Sequence, residues 1–312
     1  MNKLACTLLF AFAMGSLSVR SEQSLSHEAL FAPNKTYRYF DAHPFPAASD
    51  SEDFDLSLAR FLAEASLLSY VKETEFIETA LLRAGFQEVR FFARKNTFAF
   101  LAIQANDLVL VFRGSEASDP ADFFTNTKTF QKPFLEYGTA HSGFIEALDW
   151  VSEDLQAAIE QYGSHRLWVG GHSLGGALGT LFALRESRKT DAVYTFGAPR
   201  IGGIKLARNA EKEIALYRVV YDNDIIPRVP SPPFFQHFGT TFFISSDHEL
   251  IEDPPFARKW ESRRRGHAAL IESLFKDHWL EGDFKTIPSD YVVDHSPRLY
   301  AEALGAAKLS KP

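Results

Sequence analysis

The 312 residues, 46% of them hydrophobic and 23% charged, form an ordinary globular composition with enough apolar material for one large α/β core. A formal net charge of −7 argues against recognition of a nucleic-acid backbone, which needs clustered positive charge. The basic run "RKWESRRRG" at 258–266 reads as a solvated helix face, and the 29 phenylalanines suit a protein that handles apolar ligands as well as supplying core.

The chain opens "MNKLACTLLFAFAMGSLSVRS". A lysine near the start, an apolar run from Leu4 to Met14 and small residues through Ser18 predict a secretory signal peptide over 1–18, too short to span a bilayer as a helix. Cys6 is the only cysteine, so the mature chain is expected to carry none and to fold without disulfides, a pattern that favours bacterial export. An irregular lead follows over 19–53, with an "NKT" glycosylation acceptor pattern at Asn34, and a single catalytic domain is expected over 54–312.

That domain starts with "FDLSLARFLAEASLLSYV", whose Leu58, Phe61, Leu62, Ala65 and Leu68 keep helical spacing. Two strands, Thr97–Ile103 and Leu108–Phe112, are expected on either side of a turn at Asn106-Asp107. A helix over 143–163 places Phe144, Leu148, Val151, Leu155, Ile159 and Tyr162 on one stripe, with Gly163 closing it. A strand at Leu167–Val169, a small-residue helix, and the strands "AVYTFGAP" and "ALYRVVYDND" complete the alternation. Strands alternating with helices imply a mostly parallel sheet covered on both faces.

At the junction of strand and small-residue helix stands Gly171-His172-Ser173-Leu174-Gly175. A strand that runs directly into a helix demands backbone torsions most side chains resist and glycine tolerates. Such a turn lifts the Ser173 hydroxyl above the carboxyl ends of the strands, at a helix N-terminus that favours developing negative charge. This is the nucleophile-elbow pattern, and it makes Ser173 the candidate nucleophile. A serine nucleophile needs a base and the base an orienting carboxylate, in chain order serine, acid, histidine. "YRVVYDNDIIPRVP" offers Asp222 and Asp224 just past a strand, which residue chemistry does not separate. The later histidines are His237, His248, His267, His278 and His295; His172 is excluded as base because adjacent side chains in the turn point apart. No His, Cys or carboxylate cluster has ligand spacing, so neither metal nor organic cofactor is expected.

Five stretches in order, "LVLVFRGS" (108–115), "AHSGF" (140–144), "VGGHSLGGALG" (169–179), "YTFGAPRIGG" (194–203) and "YDNDIIPRVP" (221–230), with a weaker sixth, "DHSPRLY" (294–300), resemble the class 3 lipase family, the fungal-lipase-like branch of the α/β hydrolases. The resemblance implies an α/β-hydrolase fold: a mostly parallel central sheet, helices on both faces and a short lid. It also implies a Ser173–Asp224–His295 triad, with Asp224 preferred over Asp222, His295 as base and His278 as its rival. The oxyanion hole would be made by Ser115, through its N–H and hydroxyl, with the Leu174 N–H; His141 would be a structural neighbour. The implied partner is a lipid ester met at a lipid–water interface, most directly a triacylglycerol. Phospholipase A1 or feruloyl-esterase chemistry on the same triad, and a lipid-binding protein on an inactive hydrolase fold, are the rival readings.

The chain departs from the family after Ser115, where "DPADFFTN" puts Phe123 in the place of a tryptophan and Asn126 near the place of an acid. The family's lid lies here. Asp119-Pro120 could start its helix, and Phe123, Phe124, Phe130 and Phe134 could cover an acyl-binding surface.

Overall fold

Short turns and long crossovers between apolar runs set which strands pair antiparallel and which parallel. The computed structural model describes residues 33, 35–46, 53–115, 130–163, 165–186, 190–255, 257 and 293–310. The expected leader, Asn34, the segment of Phe123 and Phe124, the basic run at 258–266, His267 and His278 lie outside them. Nine strands form one sheet in the order β1 (Glu88–Arg94), β2 (Thr97–Gln104), β3 (Asp107–Phe112), β6 (Arg166–His172), β7 (Ala192–Phe196), β8 (Leu216–Tyr221), β9 (Thr240–Ile244), β10 (Glu249–Glu252) and β11 (Lys308–Ser310).

Turns containing Lys95 and Ala105, both at positive φ, join β1 to β2 and β2 to β3 antiparallel. From β3 through β6, β7 and β8 to β9 every pairing is parallel, and β10 and β11 extend the edge. Every residue of β3 and β7 is buried, which is why both read as largely apolar runs, broken only by Asp107 and Thr195, rather than alternating ones. A separate hairpin, β4 (Gln131–Phe134) with β5 (Gly138–His141), lies outside the main sheet.

Helices cover both faces, as the alternation implies. On one face, α1 (Leu56–Leu68) and α7 (Pro297–Ala306) enclose a cluster with Phe61, Leu62, Tyr194 and Tyr300. On the other, α3 (Ser142–Asp149), α4 (Ser152–Glu160), α5 (Leu174–Arg185) and α6 (Ile204–Ala210) enclose Phe112, Phe144, Leu178 and Phe182. Helix α2 (Thr74–Arg83) leads into β1. Among the described residues no helix is long and apolar enough to cross a membrane.

The single helix expected over 143–163 is instead two, α3 and α4. The Val151 N–H bonds the Leu148 carbonyl three residues back, which tightens and ends α3. The second helix then starts with Glu153 and Asp154 in its first turn, where the helix dipole favours acids. The apolar stripe survives the break, because Phe144, Leu148, Val151, Leu155 and Ile159 all stay buried.

The described part of the lead, 35–46, is irregular but held in place. The buried carboxylate of Glu64 on α1 accepts the Tyr37 hydroxyl at 3.0 Å and the Phe40 N–H at 2.6 Å, and meets His43 Nδ1 at 2.7 Å. From the same helix, the Arg60 guanidinium donates to the Leu304 and Ala307 carbonyls at 2.9 and 2.8 Å, capping the end of α7. Helix α1 therefore joins the lead, the sheet and the C-terminal helix.

Leu62 packs α1 closely on β6: a Cβ built on Gly170 would sit 3.2 Å from its Cδ2. Leu62→Ala is expected to lower unfolding free energy by about 2–5 kcal/mol, read from urea denaturation with an unchanged m-value.

Candidate active site

β6 runs into α5 with one residue between them, Ser173, at φ 57° and ψ −128°. The left-handed torsion falls on the serine itself; Gly171 and Gly175 keep ordinary φ values, against the expectation that the glycines supply it. Their role is close approach. A Cβ on Gly171 would stand 2.4 Å from the Gly175 carbonyl carbon, and one on Gly175 would stand 2.1 Å from the Phe112 oxygen. Gly176 is pressed in the same way against Ala198. With no side chains at these positions, helix, elbow and the exit of β3 pack backbone to backbone, and the Ser173 N–H is held on the Phe196 carbonyl at 2.9 Å.

That packing brings the two expected oxyanion donors onto adjoining segments. Ser115 leaves β3 one residue after Gly114, where a Cβ would stand 2.7 Å from the His172 oxygen. Leu174 is the first residue of α5, so its N–H has no intrahelical acceptor.

The expected acid and base arrive from later in the chain. Asp224 follows β8, and His295 immediately precedes the N-cap Ser296 of α7, where Pro297 fits the first turn. The Ser173 hydroxyl donates to His295 Nε2 at 2.8 Å, and His295 Nδ1 donates to Asp224 Oδ2 at 2.8 Å. All three residues are at most 2% exposed. Asp222, half-buried at φ 31°, lines a cavity of about 140 Å³ with Arg200, Arg218 and Arg228, and Asp224 is the acid that bonds the imidazole. His237 Nε2 donates instead to the Pro227 carbonyl, and His248 lies in the turn between β9 and β10. His172 turns away from Ser173, to Tyr70 and the main chain of His295.

Several supporting groups escape the sequence pattern. Tyr300 donates to Asp224 Oδ2 at 2.6 Å and accepts the Tyr221 N–H at 3.0 Å; burial and then the Asp224 charge hold its phenol well above the usual range, so it stays a donor. The Ile226 N–H binds Asp224 Oδ1 at 2.8 Å, giving the carboxylate three donors. The Asp294 carboxylate accepts the Asn223 N–H at 3.1 Å, tying the base turn to the acid loop. Gly197, at φ 64°, is the one glycine here whose conformation matters. Tyr300 is visible in "DHSPRLY" and Gly197 in "YTFGAP", but no local periodicity marks either as part of the site.

His141 caps α3: its Nδ1 accepts the Gly143 N–H at 3.2 Å and its ring stacks on Phe144 with centroids 4.1 Å apart. Burial pushes its pKa down to about 4. Of the phenylalanines expected over the acyl surface, Phe134 belongs to the core, 2% exposed and under the Arg185 guanidinium; β4 turns it inward. Phe130 is 63% exposed.

Residues 109–234 match the model of the family described as Lipase (class 3). The triacylglycerol lipase OBL1 of Arabidopsis thaliana is 28% identical over 231 residues, 55% of this chain and 45% of that protein. The lipase of Rhizopus niveus is 30% identical over 172 residues, 50% of this chain and 43% of that one. The chain thus spans less than half the length of these curated relatives. The solved structure of the triacylglyceride lipase of Rhizomucor miehei superposes with a TM-score of 0.52 at 25% identity, covering 65% of this chain and 83% of that one.

A Cβ on Gly197 would stand 2.6 Å from Asp224 Oδ2 and 3.0 Å from His295 Nδ1. Gly197→Ala is therefore expected to slow labelling of Ser173 by a fluorophosphonate about 100-fold or more, through misplacement of the imidazole. A second prediction concerns pH. The unfolded chain protonates His141 near its ordinary value of 6.5 while the folded one resists until about 4, so stability falls as pH drops through that interval and is regained above it. Burial and then His295 lower the pKa of His172, which adds to the same slope. His141→Asn keeps a cap acceptor and removes one titration, so urea midpoints measured across the interval should vary less steeply than in the parent.

Proposed function

We propose that this chain is a class 3 lipase of the α/β-hydrolase superfamily, a serine carboxylic-ester hydrolase acting on lipid esters, most directly triacylglycerols; the match of residues 109–234 to that family and the similarity to curated lipases support the reading. The observation that carries the proposal is the single imidazole of His295 bonded at one nitrogen to a serine hydroxyl and at the other to a buried carboxylate.

In the proposed reaction Ser173 Oγ attacks the ester carbonyl as His295 Nε2 takes its proton. Asp224 holds the imidazole in the tautomer with its proton on Nδ1 and stabilises the imidazolium that forms; it does not itself take the proton. The tetrahedral oxyanion is met by the Leu174 N–H and by the N–H and hydroxyl of Ser115, donors whose single loss costs about 100- to 1000-fold in kcat. His295 then protonates the departing alcohol, and a water activated by the same imidazole releases the fatty acid from the acyl-serine. The left-handed backbone at Ser173, a conformation costing about 1–3 kcal/mol, presents the hydroxyl in advance of substrate binding.

Three finer readings belong to the proposal. Residues 54–312 act as one hydrolase domain. Residues 1–18 are a leader that directs a bacterial chain to export. The phenylalanines of "DPADFFTN", with the exposed Phe130 beside them in sequence, meet the lipid surface and cover the acyl site in water. Burying a ring is worth about 1.5–3 kcal/mol, so two or three could hold a cover closed until a lipid surface competes for them.

Ser173→Ala should lower turnover of emulsified triacylglycerols by about 10⁴- to 10⁶-fold without loss of folding, in an assay that grades acyl length and includes phospholipid and feruloyl esters. Wild-type turnover in that variant would remove Ser173 as nucleophile, and faster cleavage of phospholipid would reassign the substrate. A rate that saturates smoothly across the solubility limit of the substrate would remove the cover.

A further inference from the structure

We propose that His172, held by Tyr70, is a positioning residue for the His295 base: its bond to the His295 carbonyl sets where that imidazole stands over Ser173. The inference rests on the triad reading above and extends it to two side chains that reading leaves unused.

The geometry is specific. His172 Nε2 lies 2.7 Å from the His295 carbonyl oxygen, and His172 Nδ1 lies 2.7 Å from the Tyr70 hydroxyl. A carbonyl only accepts, so Nε2 carries the hydrogen; Nδ1 is then an acceptor, and Tyr70 donates to it. Both ring nitrogens are thereby committed, and neither is available to Ser173. The two imidazoles lie with centroids 4.5 Å apart, and His172 is 1% exposed. Burial, and then the neighbouring His295, lower the pKa of His172 far below its ordinary value. It therefore stays neutral, and no second positive charge opposes the imidazolium that His295 becomes.

The consequence lies in the base turn. His295 sits between Asp294, whose carboxylate holds the Asn223 N–H, and Ser296, whose N–H bonds the Val293 carbonyl. Those two bonds fix the flanks, and the His172 bond fixes the main chain of His295 itself. Tyr70, just past the end of α1, also presses on the other half of the site: a Cβ on Gly114 would stand 2.1 Å from its hydroxyl oxygen. The Tyr70–His172 pair thus links the segment leading to Ser115, the elbow and the base. An error of about 1 Å in such placement can cost about 100-fold in rate without touching the substrate.

Four variants test this: His172→Phe, which keeps a flat ring and removes the donor; His172→Gln, whose amide can accept from Tyr70 and donate to the carbonyl; Tyr70→Phe; and Ser173→Ala. Each is measured for kcat and KM on a soluble short-chain ester, for fluorophosphonate labelling rate and for melting temperature. His172→Phe is expected to lose about 10- to 100-fold in kcat and in labelling rate with KM within about twofold, and His172→Gln to recover most of the loss. A His172→Phe protein within about twofold of wild-type kcat overturns the proposal, as does a folded His172→Gln protein as impaired as His172→Phe. If both His172 variants fail to fold, Tyr70→Phe decides: a kcat loss of about threefold or more at unchanged KM supports the positioning role, and wild-type kcat overturns it. Turnover retained by Ser173→Ala would instead refute the triad reading, and the two failures are distinguishable.

Discussion

Everything in the site depends on the backbone contact between the elbow and the exit of β3. Gly175 lies so close to the Phe112 carbonyl, and Gly171 so close to Gly175, that no side chain carbon fits at either position. A left-handed serine costs free energy, and only a surround that over-determines it can hold it there. Here the surround is a parallel strand on each side of β6, the Phe196 carbonyl on the serine N–H, and a helix seated directly on the strands. The same closeness sets the start of α5 beside the segment that leads to Ser115. A wider elbow would lose the presented hydroxyl and the adjoining donors together.

Asp224 and His295 answer a different constraint, that of bringing distant segments to the elbow. Asp224 is delivered by the end of β8, so its position follows from the sheet. His295 is delivered by the start of α7, whose own position follows from packing on α1 and from the Arg60 bonds to its last carbonyls. The lead is pinned to that same helix through Glu64. A chain of contacts therefore runs from Tyr37, Phe40 and His43 to the imidazole, although none of these three touches the hydroxyl.

Burial sets the electrostatics of the site. Tyr300 remains a neutral donor toward Asp224 because burial and that charge both resist its ionisation. His172 and His141 remain neutral because burial disfavours their charged forms. The carboxylate of Asp224 has an imidazole, a phenol and a main-chain N–H around it, so each of its bonds also fixes a direction. In the proposed reaction these groups keep one charge state, and His295 alone moves protons.

The sequence by itself determined the elements with a strong local period: the helix α1, the strands β2, β3, β6, β7 and β8, and the serine between a strand and a small-residue helix. These are legible because hydrophobic spacing and turn chemistry act over a few residues. It left Asp222 and Asp224 equal on residue chemistry and five histidines open as base, and the family resemblance pointed to Asp224 and His295. The tertiary structure decided what local spacing does not encode: the break at Val151, the hairpin of β4 and β5, the strands β9 to β11 that extend the sheet beyond β8, and Phe134 as core. It also decided that His295 bonds Asp224, that Tyr300 and Ile226 complete the carboxylate's partners, and that Tyr70 and His172 reach the base. Those contacts join residues as much as 123 positions apart, as with His172 and His295, and such pairs are made by the packing of helices on the sheet.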